Sequence, residues 1–182
     1  MSTSWPFGSL RMFGYQLIVA DPPWDFENYS DAGTSKGADP HYDVMPLAAI
    51  KALPVGQLAR DDCLLLLWAT GCMLPAAIET LRAWGFAYKS EMVWRKLTPA
   101  GKVRMGTGYR VRTMHEPILL GTIGNPAHAP FPSVLDGIAR EHSRKPEEFY
   151  AAVDRACPGL GFRADLFSRQ SRPVWDAWGR EA

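Results

Sequence analysis

Cysteine is scarce, with three residues in 182, and Cys63, Cys72 and Cys157 form no Cys-x-x-Cys pair. That excludes a disulfide scaffold and the usual zinc-finger spacing, and it makes a reducing cytoplasm the expected compartment. Long apolar runs are missing too. The longest, Cys63 to Ala69, falls far short of the ~20 residues that a membrane-spanning helix needs. No basic flank followed by an apolar run stands within Met1 to Leu10, so no secretory signal is expected. His41, His115, His128 and His142 show neither His-x-x-x-His nor Glu-x-x-His spacing, and no metal site is expected. There is no internal repeat and no low-complexity tract, and the composition excludes collagen and a fully disordered chain. What remains, at 47% hydrophobic residues, is a chain that can bury roughly two thirds of its unfolded surface. One domain over residues 1–182 is expected.

Overall charge is nearly balanced at +1, but its distribution is uneven. Residues 1–90 carry 6 Lys/Arg against 9 Asp/Glu, and residues 91–182 carry 14 against 10. Between Arg95 and Arg112 stand Arg95, Lys96, Lys102, Arg104, Arg110 and Arg112 with no acid among them. Such a run is a candidate phosphate-contacting surface, the alternative being a solvated loop.

Apolar patterning predicts strands over Tyr15–Ala20, Cys63–Ala69, Ala87–Trp94, Ile118–Ile123 and Phe162–Phe167. Leu74, Ala77, Ile78, Leu81 and Trp84 fall at helical spacing, with Pro75 near the start and Gly85 just past the end. A short helix is expected over Pro46–Leu53. A second full helix is expected over Glu147–Ala156, with Phe149, Ala152, Val153 and Ala156 on its inner face. Leu97–Thr113 reads as a Gly-rich loop, and Gly124–Arg140 as an irregular stretch with a helical turn near Val134. Alternating strands and helices predict an α/β domain with a mainly parallel sheet, whose ligands sit beyond the carboxyl ends of the strands. Gly159 to Ala164 matches Gly-x-Gly-x-x-Ala, but it follows a helix and opens a strand, so it is no dinucleotide fingerprint. Asp61-Asp62 reads as a solvated turn, and Trp175 and Trp178 as core or interface residues.

Asp21-Pro22-Pro23-Trp24 leaves the first strand at such a carboxyl end. Two prolines fix two φ angles and remove two N–H donors, which stiffens the loop and leaves its carbonyls open as acceptors. Asp21 adds a second acceptor and Trp24 a flat apolar face. Together they could hold an exocyclic amine and clamp its heterocycle; the plainer reading is a rigid strand-exit turn with a core tryptophan.

This Asp-Pro-Pro-Trp exit resembles the catalytic motif of the MT-A70 family of adenine-N6 methyltransferases, and the resemblance runs through residues 15–182 in order. His41-Tyr42-Asp43-Val44-Met45, the Leu64–Thr70 strand, Glu91-Met92-Val93-Trp94-Arg95-Lys96, Gly106-Thr107-Gly108-Tyr109 through His115-Glu116, Arg144-Lys145-Pro146-Glu147, Leu166-Phe167-Ser168-Arg169 and Trp178-Gly179 all match family segments. Two departures are Arg110, where the family often has Trp, and Arg180-Glu181 after Trp178-Gly179.

The resemblance implies a Rossmann-like, class I methyltransferase fold with permuted motif order and S-adenosylmethionine as cofactor. It implies that Asp21 and Pro22 accept hydrogen bonds from the adenine amine and border the cofactor, and that Pro23 and Trp24 shape the base pocket. Lys145, Phe167, Arg169, Gln170, Ser171, Gly179 and Arg180 are its implied cofactor residues. Tyr42, Lys96, Lys102, Arg104, Tyr109, Arg110 and Arg112 are expected at the substrate, with residues 97–113 as a mobile basic loop. The expected partner is nucleic acid, DNA ahead of RNA because no RNA-binding module is appended. No membrane partner is expected, and a homo- or heterodimer is compatible with the sequence. The reading from another class is a non-catalytic nucleic-acid-binding subunit of a methyltransferase complex.

Overall fold

In a computed structural model of the chain, residues 5–25, 44–106, 110–140 and 144–179 are described. The elements run β1 (Tyr15–Ala20), α1 (Leu47–Ala52), β2 (Ala59–Trp68), α2 (Leu74–Ala83), β3 (Ala87–Leu97), β4 (His115–Ile123), β5 (Val134–Ile138), α3 (Glu147–Ala156), β6 (Arg163–Leu166) and β7 (Trp175–Trp178), with short 3₁₀ turns at Val55–Leu58 and Gly71–Met73. The seven strands form one sheet in the order β5-β3-β4-β2-β1-β6-β7. Strand β4 runs antiparallel to both neighbours, β2 and β3, and every other pairing is parallel. The α/β class and the mainly parallel sheet therefore stand as expected. Among the described residues, no helix is long and apolar enough to cross a membrane.

Central strands are covered on both faces, which is why they read as unbroken apolar runs rather than alternating ones. Along β1, Ile18 and Ala20 point into a cluster with Ile50 of α1 and Ala77 and Leu81 of α2. Leu17 and Val19 point the other way, into a cluster with Phe149, Ala152, Val153 and Ala156 of α3. Strand β2 divides likewise, Leu65 and Leu67 to one face and Leu64, Leu66 and Trp68 to the other. Helix α2 starts with proline in its first turn and stops at Gly85, whose φ of 87° is the left-handed geometry of a helix C-terminus. It can lie close on β4 because Gly121 offers no Cβ, which would fall 2.8 Å from Leu81.

Three readings of the sequence are corrected. Asp61-Asp62 is no turn but the start of β2, where the Asp62 carboxylate accepts the Asn125 backbone N–H at 2.7 Å. The stretch Gly124–Arg140 contains strand β5 where a helical turn was expected; it pairs with the far end of β3. Trp175 is a core residue and Trp178 packs against the core, as expected, and the two bound edge strand β7, which pairs with β6. Strand β6 in turn is shorter than expected, because Phe167 leaves the ladder at a φ of 61°. The parallel strands deliver Asp21, Thr70, Thr98 and Phe167 to one end of the sheet, and antiparallel β4 begins there, at His115 and Glu116.

Candidate active site

The exit of β1 is a tight corner. The Asp21 N–H continues the ladder to the Leu166 carbonyl at 3.3 Å, and the Trp24 N–H turns back to the Pro22 carbonyl at 2.8 Å. The Pro23 carbonyl accepts the Met45 N–H at 3.0 Å. The proline carbonyls are thus not open, as the sequence reading had them; each already has one partner. A carbonyl oxygen has two lone pairs, so Pro22 keeps one for a ligand. Trp24 takes the plainer of its two readings, a core tryptophan. At 5% exposed its ring offers no open stacking face, and its indole N–H donates to the Trp68 carbonyl at 3.0 Å. It pins the corner to the end of β2.

Asp21 does not stand alone. Its carboxylate lies 2.9 Å from Lys145 Nζ, which also reaches Glu116 Oε2 at 3.2 Å and sits 4.3 Å above the Trp68 ring. Glu116 in turn meets Lys96 Nζ at 2.5 Å. Two carboxylates and two ammonium groups from β3, β4, the β1 exit and the approach to α3 thus alternate in one half-buried row. Burial pushes Asp21 above the ordinary aspartate range, and the Lys145 charge only partly counters it. Burial opposes the Lys145 charge, but Asp21 and Glu116 outweigh it and hold this ammonium above the usual lysine value. Glu116 is also penalised by burial, yet Lys145 and Lys96 together hold it below the glutamate norm. Glu116 was missed as a site residue. Its partners lie 20 and 29 positions away; the pairing of β3 with β4 brings Lys96 to it, and the entry to α3 brings Lys145.

Beside this row opens a cleft lined by Asp21, Arg144, Lys145, Tyr150, Asp165, Phe167, Ser168, Arg169 and Gln170. Asp165 is 4% exposed and accepts the Tyr150 hydroxyl at 2.8 Å; burial, with the Asp21 charge adding to it, pushes Asp165 up to about 6. The Tyr150 ring carries the Arg172 guanidinium at 3.6 Å, which Glu147 holds by two bonds of 2.7 and 2.8 Å. Gly179 lies against the wall of the cleft, where a Cβ would come within 2.3 Å of the Ser168 carbonyl oxygen. Ser171 is exposed and not part of the lining. Tyr42, Tyr109 and Arg180 lie outside the described residues. Among the described residues no group of acidic, histidine or cysteine side chains is arranged to hold a metal ion.

The basic run splits in two. Arg95 is gripped by Asp136 through two 2.6 Å bonds along one guanidinium edge, and Lys96 belongs to the half-buried row. Lys102, Arg104, Arg110 and Arg112 are exposed and make no ion pair among the described residues. Nor is the segment an irregular loop throughout. Arg104 N–H bonds to the Lys96 carbonyl, Lys96 N–H to Met114, and Gly106 N–H to Thr113, so it projects as an arm continuing the β3–β4 hairpin.

A stiff acidic corner that can hold an amine, next to a mixed-charge cleft, suits the chemistry of an amine methyltransferase. The MT-A70 family model matches residues 15–181, and the chain belongs to that family of adenine-N6 methyltransferases. It is similar to the type II methyltransferase M.MunI of a Mycoplasma species, 30% identical, with 96% of this chain and 81% of that protein covered. It is also similar to the MT-A70-like N(6)-adenosine-methyltransferase of Drosophila melanogaster, at 30% identity, covering 92% of this chain and 27% of the fly protein. The human N(6)-adenosine-methyltransferase catalytic subunit METTL3 is 31% identical, covering 92% of this chain and 28% of the human protein. The chain thus spans most of the bacterial relative and about a quarter of these two animal ones.

The family implies S-adenosylmethionine, and the charges of the residues lining the cleft suit such a ligand. Two carboxylates, Asp21 and Asp165, face three cations, Arg144, Lys145 and Arg169. That set suits a molecule carrying an ammonium, a sulfonium and a carboxylate at once.

Proposed function

We propose that this chain transfers a methyl group from S-adenosylmethionine to the N6 amine of adenine in nucleic acid, most readily DNA. The observation that carries this reading is the Asp21-Pro22 corner, whose Asp21 carboxylate sits 2.9 Å from the Lys145 ammonium and lines the mixed-charge cleft. We read the fold as Rossmann-like with permuted order, since the catalytic strand exit comes first in the chain and the cleft strands β6 and β7 come last.

When bound, S-adenosylmethionine supplies a methyl group on a positively charged sulfur. Lys145, Phe167, Arg169 and Gln170 are the residues that would hold it, with Gly179 against the same wall. An adenine amine is a poor nucleophile because its lone pair is delocalised into the ring. Asp21 and the free lone pair of the Pro22 carbonyl would accept its two N–H groups, draw the nitrogen toward a tetrahedral shape and localise that lone pair. Burial lifts the Asp21 carboxyl, which makes it the better acceptor for the proton the amine must shed. The rigid corner holds these acceptors in place before the reaction, and that preorganisation does most of the work. Lys102, Arg104, Arg110 and Arg112 would grip phosphates while the target base leaves its stack.

DNA is favoured because the chain matches a type II methyltransferase over most of its length. RNA is the second reading, favoured by similar identity to the adenosine-methyltransferases. Incubation with methyl-labelled S-adenosylmethionine and separate DNA and RNA pools, followed by digestion to nucleosides, tests both. Label in N6-methyldeoxyadenosine supports the first reading, label in N6-methyladenosine the second, and label in neither overturns both.

A further inference from the structure

We propose that Trp68 is a positioning residue whose indole face holds the Lys145 ammonium at the catalytic corner, a role that rests on the reading of Lys145 as a cofactor-holding group. Trp68 ends β2 and is 0% exposed. Its ring packs edge to face with Trp94 at 5.9 Å and Phe149 at 4.9 Å, in a cluster of apolar side chains. Its indole nitrogen has no hydrogen-bond partner among the described residues. A buried donor without an acceptor is a standing cost to the fold. Phenylalanine would supply an aromatic ring there without that cost.

What indole adds over phenyl is the stronger negative face, the best of the aromatic rings for binding a cation. The cation is present: Lys145 Nζ lies 4.3 Å from the ring centroid. Asp21 at 2.9 Å and Glu116 at 3.2 Å draw the same ammonium from its polar side. A lysine ammonium has three N–H donors, and the carboxylates take two. The ring attracts the charge without needing a directed N–H. It gives the ammonium a floor and leaves its remaining donor for a ligand. The same residue supports the corner through its backbone, since its carbonyl accepts the Trp24 indole N–H at 3.0 Å. Trp68 therefore ties the strand exit and the lysine to one rigid strand end.

Truncating Trp68 would leave a cavity, so the test keeps its shape. Site-specific replacement of Trp68 by mono-, di- and trifluorotryptophan drains negative charge from the ring face with little change in size. Calorimetric titration with S-adenosylmethionine should show the dissociation constant rising at each step, by about threefold to tenfold across the series. The melting temperature should stay within about 2 °C of the parent protein. Lys145→Met in the same titration gives the reference loss. Unchanged affinity across the fluorine series, with Lys145→Met clearly weakened, overturns the role of Trp68 alone. Unchanged affinity in Lys145→Met overturns the cofactor reading of Lys145 and this proposal with it. A fluorine effect that persists in the Lys145→Met background also overturns it, because the ring would then act without the lysine.

Discussion

Lys145 and Lys102 carry the same charge on the same side chain, and the fold treats them in opposite ways. Lys145 keeps 12% of its side chain exposed and is enclosed by Asp21, Glu116 and the Trp68 ring. Lys102 stands exposed on the arm, with no ion-pair partner among the described residues. The buried lysine has its position fixed by neighbours drawn from three parts of the chain. The exposed one shares its stretch of chain with Arg104, Arg110 and Arg112, a run of like charge that counterions or phosphates answer. One region is built for geometry and the other for field strength. Substitutions in the two should therefore fail in different ways.

Trp24→Ala is expected to do the most damage, because it removes both a core tryptophan and the bond that pins the corner. Emptying such a site costs about 3–5 kcal/mol, and denaturant unfolding should show it. A variant that keeps full stability and loses only substrate affinity would restore Trp24 as a stacking face. Asp21→Ala should lower methyl transfer by about a hundredfold to a thousandfold, the scale of one lost transition-state contact. Its melting curve should stay close to wild type, since Asp21 holds no core contact; more than half of wild-type activity would break the assignment. Lys145→Ala should weaken cofactor binding by about tenfold to a hundredfold, the loss of charged hydrogen bonds. Nucleic-acid binding should hardly change, and a titration showing the reverse pattern would erase the distinction between the two regions.

Neutralising Lys102, Arg104, Arg110 and Arg112 together should leave the cofactor constant alone and flatten the salt dependence of nucleic-acid binding. Losing two to four phosphate contacts reduces the log–log slope by roughly 1.4 to 3.6. An unchanged slope would mean that the arm is merely solvated. Arg95→Ala should have the smallest effect. Its guanidinium is already matched by Asp136 in an exposed pair, so both the salt slope and the melting temperature should stay near wild type.

Much of this contrast was legible before any coordinates. Strand β1 and its exit follow from an apolar run meeting Asp-Pro-Pro, and α2 from helical spacing closed by Pro75 and Gly85. Strands β5 and β7 were missed for a shared reason. Each is a short edge strand, Val134–Ile138 and Trp175–Trp178, with a glycine or an acid inside it and one neighbour to define it. Edge pairing depends on a partner far away in sequence, which local pattern does not reveal. The same holds within the site. Lys145 could be named from its segment, but Glu116 is an ordinary polar residue until β3 and β4 pair. The split of the basic run was equally hidden, since Asp136 lies 41 positions from Arg95. The sequence left Trp24 between a stacking face and a core tryptophan, because nothing local shows that its indole N–H meets the Trp68 carbonyl 44 positions away.

The antiparallel course of β4 has a consequence for how such a protein can change. Because β3 leaves the site end of the sheet and β4 re-enters there, the arm between them has its feet one hydrogen bond apart, Lys96 N–H to the Met114 carbonyl at 2.8 Å. A segment anchored that way behaves as an interchangeable cassette. Doubling the length of a flexible loop adds only about 0.6 kcal/mol of closure cost. Residues between Leu97 and Thr113 can therefore be lengthened, shortened or grafted from a relative while the socket that receives them stays folded. If the arm grips nucleic acid as proposed, the sequence it reads can be redesigned there, with Asp21 and Lys145 left where they are.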